Sequence, residues 1–210
     1  MSIKEILNFL DPKNQNLPLL KLSGHFTQAS LVYFPVIQGE ENKLRQAFPQ
    51  LKNLKFSGTK DETAEFIKTG RLLRFIGLGK RDQVTARTMR RFFGKTYLQA
   101  LTAKPKQIAF ICPPEWLTFA AIGIHVAALD PAMFKKEWKK SPAPSVFFVD
   151  SSYKKSNEAR RSLREGEAIA EGKNLVRILG TLPPNILNQK TYAELCMALG
   201  KKWRIPVKRV

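Results

Sequence analysis

Acidic residues, histidine and cysteine are all scarce in this chain. Of 210 residues only 17 are Asp or Glu, against 36 Lys or Arg, which gives a formal net charge of +19. There are two histidines and two cysteines. His25 and His125 have no Cys or carboxylate nearby at zinc-ligand spacing, so a local zinc motif is excluded. Cys112 and Cys196 stand far apart and read as two reduced, buried thiols, not a disulfide framework. No apolar run reaches the ~20 residues that a membrane-spanning helix needs, and the longest, Trp116 to Leu129, reads as a buried helix. The N-terminus, MSIKEILNFLDPKNQ, lacks the small-residue cleavage site of a secretory signal. Its Ile3, Ile6, Leu7 and Leu10 have the spacing of a short amphipathic helix. The expectation is a cytoplasmic protein with no membrane span. No internal repeat or low-complexity tract is present.

The hydrophobic fraction of 43% is ordinary for a globular chain, so a sizeable core can form. Leu17 to Leu22 and Leu31 to Ile37 read as strands, and Glu40 to Phe48 as a short helix. Leu72 to Leu78 is a nearly unbroken apolar run ending in Gly-Leu-Gly, as in a buried parallel strand. Met89, Phe92, Phe93, Thr96, Tyr97 and Ala100 then form one helix face, with Arg87, Arg91 and Lys95 opposite. Gln107 to Cys112 is the next strand, stopped by Pro113 and Pro114. Trp116 to Leu129 is apolar on nearly every side, as a helix buried between layers would be. Val146 to Val149 is a further strand. Ser151 to Asn157 reads as a hinge before a long helix over Glu158 to Leu182. A last helix runs from Thr191 to Trp203, and Pro206 to Val210 begins a strand. This alternation predicts an α/β domain of three layers, a mixed sheet with helices on both faces.

The cationic surplus is spread along the chain and not gathered in one tail, so it predicts a basic surface that attracts polyanions without sequence preference. Two features concentrate it. Gly77, Gly79 and Lys80 follow a strand, and glycine amides there can face a phosphate, although a tight turn explains the same glycines. Position 82 is Asp, where a dinucleotide fingerprint needs glycine. Arg87, Arg91 and Lys95 form a basic helix stripe, readable as an anion surface or as a solvated face. Gly77, Gly79, Lys80, Arg87, Arg91 and Lys95 are therefore the candidate anion-binding residues. Arg160, Arg161 and Arg164 make a second cluster at the start of the long helix, where cations oppose the helix dipole and an acidic neighbour would help. Asp61, Glu62 and Glu65 cluster without a partner base. Ser151 and Ser152 have no histidine within local reach. No catalytic set stands out.

Within the long helix, Glu165 to Asn185 reads EGEAIAEGKNLVRILGTLPPN. Ala168, Gly172, Leu175, Leu179 and Leu182 give a stripe at helical spacing, with Gly172 expected where a neighbour approaches closely. Pro183 and Pro184 end the helix. This segment resembles the signature of the leucyl aminopeptidase family, in which a helix with a small-residue pattern leads into Pro-Pro-Asn. The matching residues are Gly166, Ala168, Ala170, Gly172, Leu175, Leu179, Pro183, Pro184 and Asn185. Phe75 to Lys80, FIGLGK, resembles a second family element, a strand ending in Gly-Leu-Gly-Lys.

The resemblance implies a macro-like N-terminal domain over 1–150, a linker helix over 151–182 and the start of a truncated catalytic domain over 183–210. It implies a parent metallo-exopeptidase that removes N-terminal residues from peptides, using two divalent metal ions, manganese or zinc. Peptide substrates would be met through the missing catalytic domain, and the parent would be a homo-hexamer. The family's ligand stretches, resembling Asn-Thr-Asp-Ala-Glu-Gly-Arg and a Gly-Lys-Gly element followed by Phe-Asp, do not occur here. After Asn185 the only carboxylate is Glu194. The implied role of this segment is assembly or access, with no catalytic or metal-binding residues of its own. A basic nucleic-acid-binding module and a macro-like phosphate-ligand binder are the alternatives.

Overall fold

The structure is a computed structural model and describes residues 3–11, 14–25, 29–130 and 142–208. In chain order its elements are α1 (Ile3–Leu10), β1 (Leu20–Ser23), β2 (Leu31–Ile37), α2 (Glu41–Ala47), β3 (Thr63–Lys68), β4 (Arg71–Gly79), α3 (Ala86–Leu101), β5 (Gln107–Ile111), α4 (Leu117–Ala128), β6 (Ser145–Val149), α5 (Asn157–Thr181) and α6 (Gln189–Trp203). The six strands form one sheet in the order β1-β6-β5-β2-β4-β3. All neighbours are parallel except the β3–β4 hairpin, so the sheet is mixed.

Side chains alternate across the sheet and feed two cores. Leu31 and Tyr33 of β2 join Ile108 and Phe110 of β5 beneath Met89, Phe93 and Tyr97 of α3 and Leu117 of α4. Val32, Phe34 and Val36 face the other way, toward Phe75, Leu51 and Phe56, with Leu44 and Phe48 packed against them. The Phe34 and Phe75 rings stack with centroids 4.5 Å apart, and Phe48 meets each edge-on. Helices thus cover both faces, and the three-layer α/β arrangement is the one the alternation of strands and helices predicts.

α4 is buried on nearly every side because α3 and α5 both close on it through glycine. A Cβ on Gly123 would lie 2.3 Å from the Arg90 carbonyl oxygen, and one on Gly94 2.8 Å from the Gly123 carbonyl oxygen. A Cβ on Gly166 of α5 would lie 2.7 Å from both the Thr118 carbonyl oxygen and Ala121 Cβ. Backbone-to-backbone approach of this kind admits no side chain between the helices. Beyond the sheet, Ile6 and Leu10 of α1, Ile178 and Leu182, and Leu195 and Leu199 of α6 make a third cluster with Leu129.

Four expectations need correction. The buried stripe of α5 is Ala159, Leu163, Gly166, Ala170, Asn174 and Ile178, whereas Ala168 and Gly172 are exposed. A Cβ on Gly172 would meet nothing within 4 Å. The partner α4 sets that face, and it touches Gly166 instead. β1 starts at Leu20, not Leu17; the Pro18 carbonyl is taken by the His125 ring, 3.1 Å away, and not by a strand. α6 starts at Gln189, because Asn188 caps it: its side chain accepts from the Thr191 amide (3.1 Å) while Thr191 Oγ1 accepts from the Asn188 amide (2.9 Å). The strand expected over Pro206 to Val210 is not formed among its described residues. Ile205 and Val207 instead fold back on α6, with the Ile205 amide donating to Gly200; residues 209 and 210 lie outside the described set.

Candidate functional site

The candidate residues gather where β4 ends and α3 begins. Gly77 and Gly79 close β4. Gly77 is required by crowding, since a Cβ there would lie 1.9 Å from the Thr59 carbonyl oxygen. Its amide donates to Glu62 (2.8 Å) and its carbonyl accepts from Asp61 (2.9 Å). Gly79 has φ +81°, and its amide donates to Gly58 (3.1 Å) while its carbonyl accepts from Gln38 (2.9 Å). Both glycine amides are therefore engaged by backbone, and the turn explanation of this Gly-Leu-Gly is the one the geometry supports. An anion here would have to be met by side chains.

Those side chains border a cleft of about 310 Å³. Arg91 and Lys95 reach it from α3, and Lys60 from the turn before β3. Thr88, Gln83 and Gln99 add hydrogen-bonding groups, and Ile76, Leu78 and Phe92 form apolar wall. Lys80 and Arg87 are exposed and stand outside this lining. Thr85 aims α3 at the cleft: its side chain accepts from the Thr88 amide (3.2 Å), closing a capping box. Lys95 Nζ lies 3.1 Å from Asp61 Oδ1, with both side chains more than half exposed, a surface pair worth at most ~1 kcal/mol. Lys60 and Arg91 have no ion pair among the described residues. The Asp61 carboxylate also lines the cleft and takes up Lys95, so an anion beside the apolar wall would be met by Lys60 and Arg91. Sequence reasoning missed Lys60, Gln83, Thr88 and Gln99, because the β3 hairpin that carries Lys60 to α3 was not foreseen.

The remaining polar groups are structural. Asp61 pairs with Lys95, and Glu65 pairs with Arg74 at 2.7 Å. Glu62 accepts from the Ser57 hydroxyl (2.7 Å) and the Ser57 and Thr59 amides. Burial pushes its carboxyl up, but these hydrogen bonds together outweigh that and hold it below the usual carboxylate value. His125 is buried and hydrogen-bonded to Pro18, and burial lowers its ring below the ordinary histidine value. Cys112 is fully buried, and burial raises its thiol well above the usual range, so it is inert; Tyr153 donates to its carbonyl at 2.5 Å. Cys196 is only half-buried, against expectation. Ser152 donates to Asp150, closing a local turn. Among the described residues no three His, Cys, Asp or Glu side chains converge to hold a metal ion, and no helix is long and apolar enough to cross a membrane.

No family model matches the chain. A probable cytosol aminopeptidase of Nitrosococcus oceani is 29% identical over 152 residues, covering 66% of this chain and 30% of that protein. The chain thus spans about a third of the length of this curated relative. Among solved structures, a mutant of tomato leucine aminopeptidase superposes with a TM-score of 0.73 at 17% identity, over 90% of this chain and 43% of that one. The bottromycin maturation enzyme BotP, solved in complex with Mn, superposes with a TM-score of 0.61 at 17% identity, over 83% of this chain and 36% of that one. These likenesses establish the fold. The sequence relationship points the same way as the signature elements at Phe75 to Lys80 and Glu165 to Asn185, and the chain is similar to leucyl aminopeptidases over part of their length.

Proposed function

We propose that this chain is the N-terminal portion of a leucyl-aminopeptidase-like metallo-exopeptidase, and that it serves assembly or access, not bond cleavage. The domain limits proposed are 1–150 for the macro-like unit, 151–182 for the linker helix and 183–210 for the start of a catalytic domain. The observation that carries the reading is the match of nearly the whole sheet-and-helix unit to less than half of leucine aminopeptidase. The parent would act on peptide N-termini in the cytoplasm with two divalent ions, manganese or zinc, as a homo-hexamer. The residues present here do not fit a dinuclear centre. Hard divalent ions at a hydrolytic site take several oxygen donors each, and Glu194 is the sole carboxylate after Asn185. No step of hydrolysis is therefore assigned to this chain. Assaying the 210-residue chain with leucyl-p-nitroanilide and added manganese or zinc tests this. No turnover above blank is expected, and metal-dependent turnover would refute it.

A second reading, capture of a phosphorylated small molecule, is favoured by the cleft holding Lys60 and Arg91, which have no ion-pair partner among the described residues. Calorimetry with inorganic phosphate and a nucleoside monophosphate tests it. Saturable heat that disappears in Arg91→Gln supports this reading, and its absence at millimolar ligand rejects it.

A further inference from the structure

A different basic site lies at the opposite edge of the sheet. β1 is the edge strand, and beside it the first turns of α5 bound a groove of about 650 Å³. Lys21, Leu22 and Phe147 line it from the sheet, and Arg160, Leu163 and Arg164 from α5. Leu22 packs against the core cluster that includes Leu163, on the α3–α4 side of the sheet. Phe147 belongs to the opposite face, and the Lys21 ammonium sits 5.5 Å from its ring centroid. A groove touched by both faces wraps the rim of the strand.

Among the described residues the backbone of that rim is unpaired. Pairing with β6 engages alternate residues of β1: the Val146 amide donates to the Leu19 carbonyl, and the Asp150 amide to the Ser23 carbonyl. The N–H and C=O of one residue point to the same side of a strand, so those of Leu22 point away from β6, toward the groove. Neither is bonded outside the ladder among the described residues. An unpaired edge of this kind is a template for another strand.

The charge of the groove is one-sided. Lys21, Arg160 and Arg164 are all exposed, and none takes part in an ion pair among the described residues. Among the described residues no carboxylate lines the groove. Arg160 sits in the first turn of α5, where the helix dipole disfavours a cation, and Arg164 is its like-charged neighbour four residues on, so the pair is at its least favourable when nothing anionic is present.

We propose that this groove binds an extended acidic peptide segment of a partner protein. The segment adds to β1 through main-chain hydrogen bonds at Leu22, rests apolar side chains on Leu163 and Phe147, and sets carboxylates against Lys21, Arg160 and Arg164. The free edge selects an extended main chain, the apolar floor selects alternating side chains, and the rim selects negative charge. The inference stands independently of the peptidase reading, since nothing in the groove can cleave a peptide.

Fluorescence anisotropy with a labelled Glu-Val repeat peptide tests it. Saturable binding is expected, with hydrogen exchange at the Leu22 amide slowed in the complex. A Lys-Val repeat should not bind. N-methylation of alternate peptide amides should weaken binding by roughly tenfold, since it removes the edge bonds and leaves the charge. Arg160→Glu with Arg164→Glu should abolish binding, and Arg160→Gln, a milder change, should weaken it measurably. Lys173→Glu, an equal charge reversal farther along α5, should leave it unchanged. Failure of the Glu-Val peptide to bind would overturn the proposal. So would equal binding by the N-methylated peptide or by an oligodeoxynucleotide of equal charge, either of which would mean a polyanion surface and no strand addition.

Discussion

Two glycines six residues apart on α5 should respond oppositely to the same substitution. Gly172→Ala adds a methyl group to open space, so it should gain helix propensity alone, about 0.5–1 kcal/mol. Gly166→Ala gains the same propensity but drives a Cβ to 2.7 Å from the Thr118 carbonyl oxygen and from Ala121 Cβ. Comfortable carbon–carbon contact is roughly 3.5–4.0 Å, so α5 and α4 would have to part by about an ångström. The obstructing oxygen is backbone in the middle of a helix that is itself held against α3 through Gly123 and Arg90, so α4 cannot give way alone. Overpacking costs about 1–3 kcal/mol, and setting the propensity gain of about 0.5–1 kcal/mol against it leaves Gly166→Ala destabilised by ~0–2.5 kcal/mol, toward the upper part of that range because the obstruction is backbone. The two variants should therefore straddle the parent chain. Urea unfolding followed by circular dichroism, with unchanged slopes, reads the difference as a shift in midpoint. If Gly166→Ala is as stable as the parent, or if Gly172→Ala is the more damaged of the two, the account of the α4–α5 contact is wrong.

Asn174→Leu should cost about 1–3 kcal/mol, because it leaves the His125 carbonyl, which accepts from Asn174 Nδ2 at 3.1 Å, buried without a donor; chemical denaturation checks it. Stability should fall as pH drops below about 6.5, since His125 is lowered by burial and the unfolded chain takes up its proton first; thermal midpoints between pH 8 and 5 should show the slope, and His125→Gln should lose it. Glu62 is depressed in the folded state, so its contribution is full above about 4.3, its unfolded value, and is lost as pH falls through the folded one. Glu62→Gln should accordingly lower the midpoint at neutral pH and flatten its decline in acid.

Where burial is decided within a few residues, the sequence was readable. β2 and β4 are buried on both faces, so their apolar runs needed no partner to be recognised, and the double proline after Leu182 removes donors whatever surrounds it. β3 was not recognised, although its turn was in view. Thr69 and Gly70 both have positive φ, the backbone of a tight two-residue hairpin, and Ala64 and Phe66 alternate with exposed residues ahead of it. The charges of Asp61, Glu62 and Glu65 beside only two inward residues make that alternation weak in the sequence. The choice of face on α5 was not local at all. Its sequence offers two small-residue stripes, one through Gly166, Ala170 and Asn174 and one through Ala168, Gly172 and Leu175, and by composition the second is the more apolar. Asn174 makes the first the buried one, because the carbonyls near the end of α4 need donors. Asn174 serves His125, and Arg177 donates to the Val126 carbonyl. A polar side chain thus fixes the register of an otherwise apolar contact, and that assignment depends on a helix some fifty residues away in the sequence. The same reasoning separates the two basic sites. Arg91 and Arg160 look alike as members of helix stripes, and only the fold shows that one stands over a cleft beside β4 and the other over the open edge of β1.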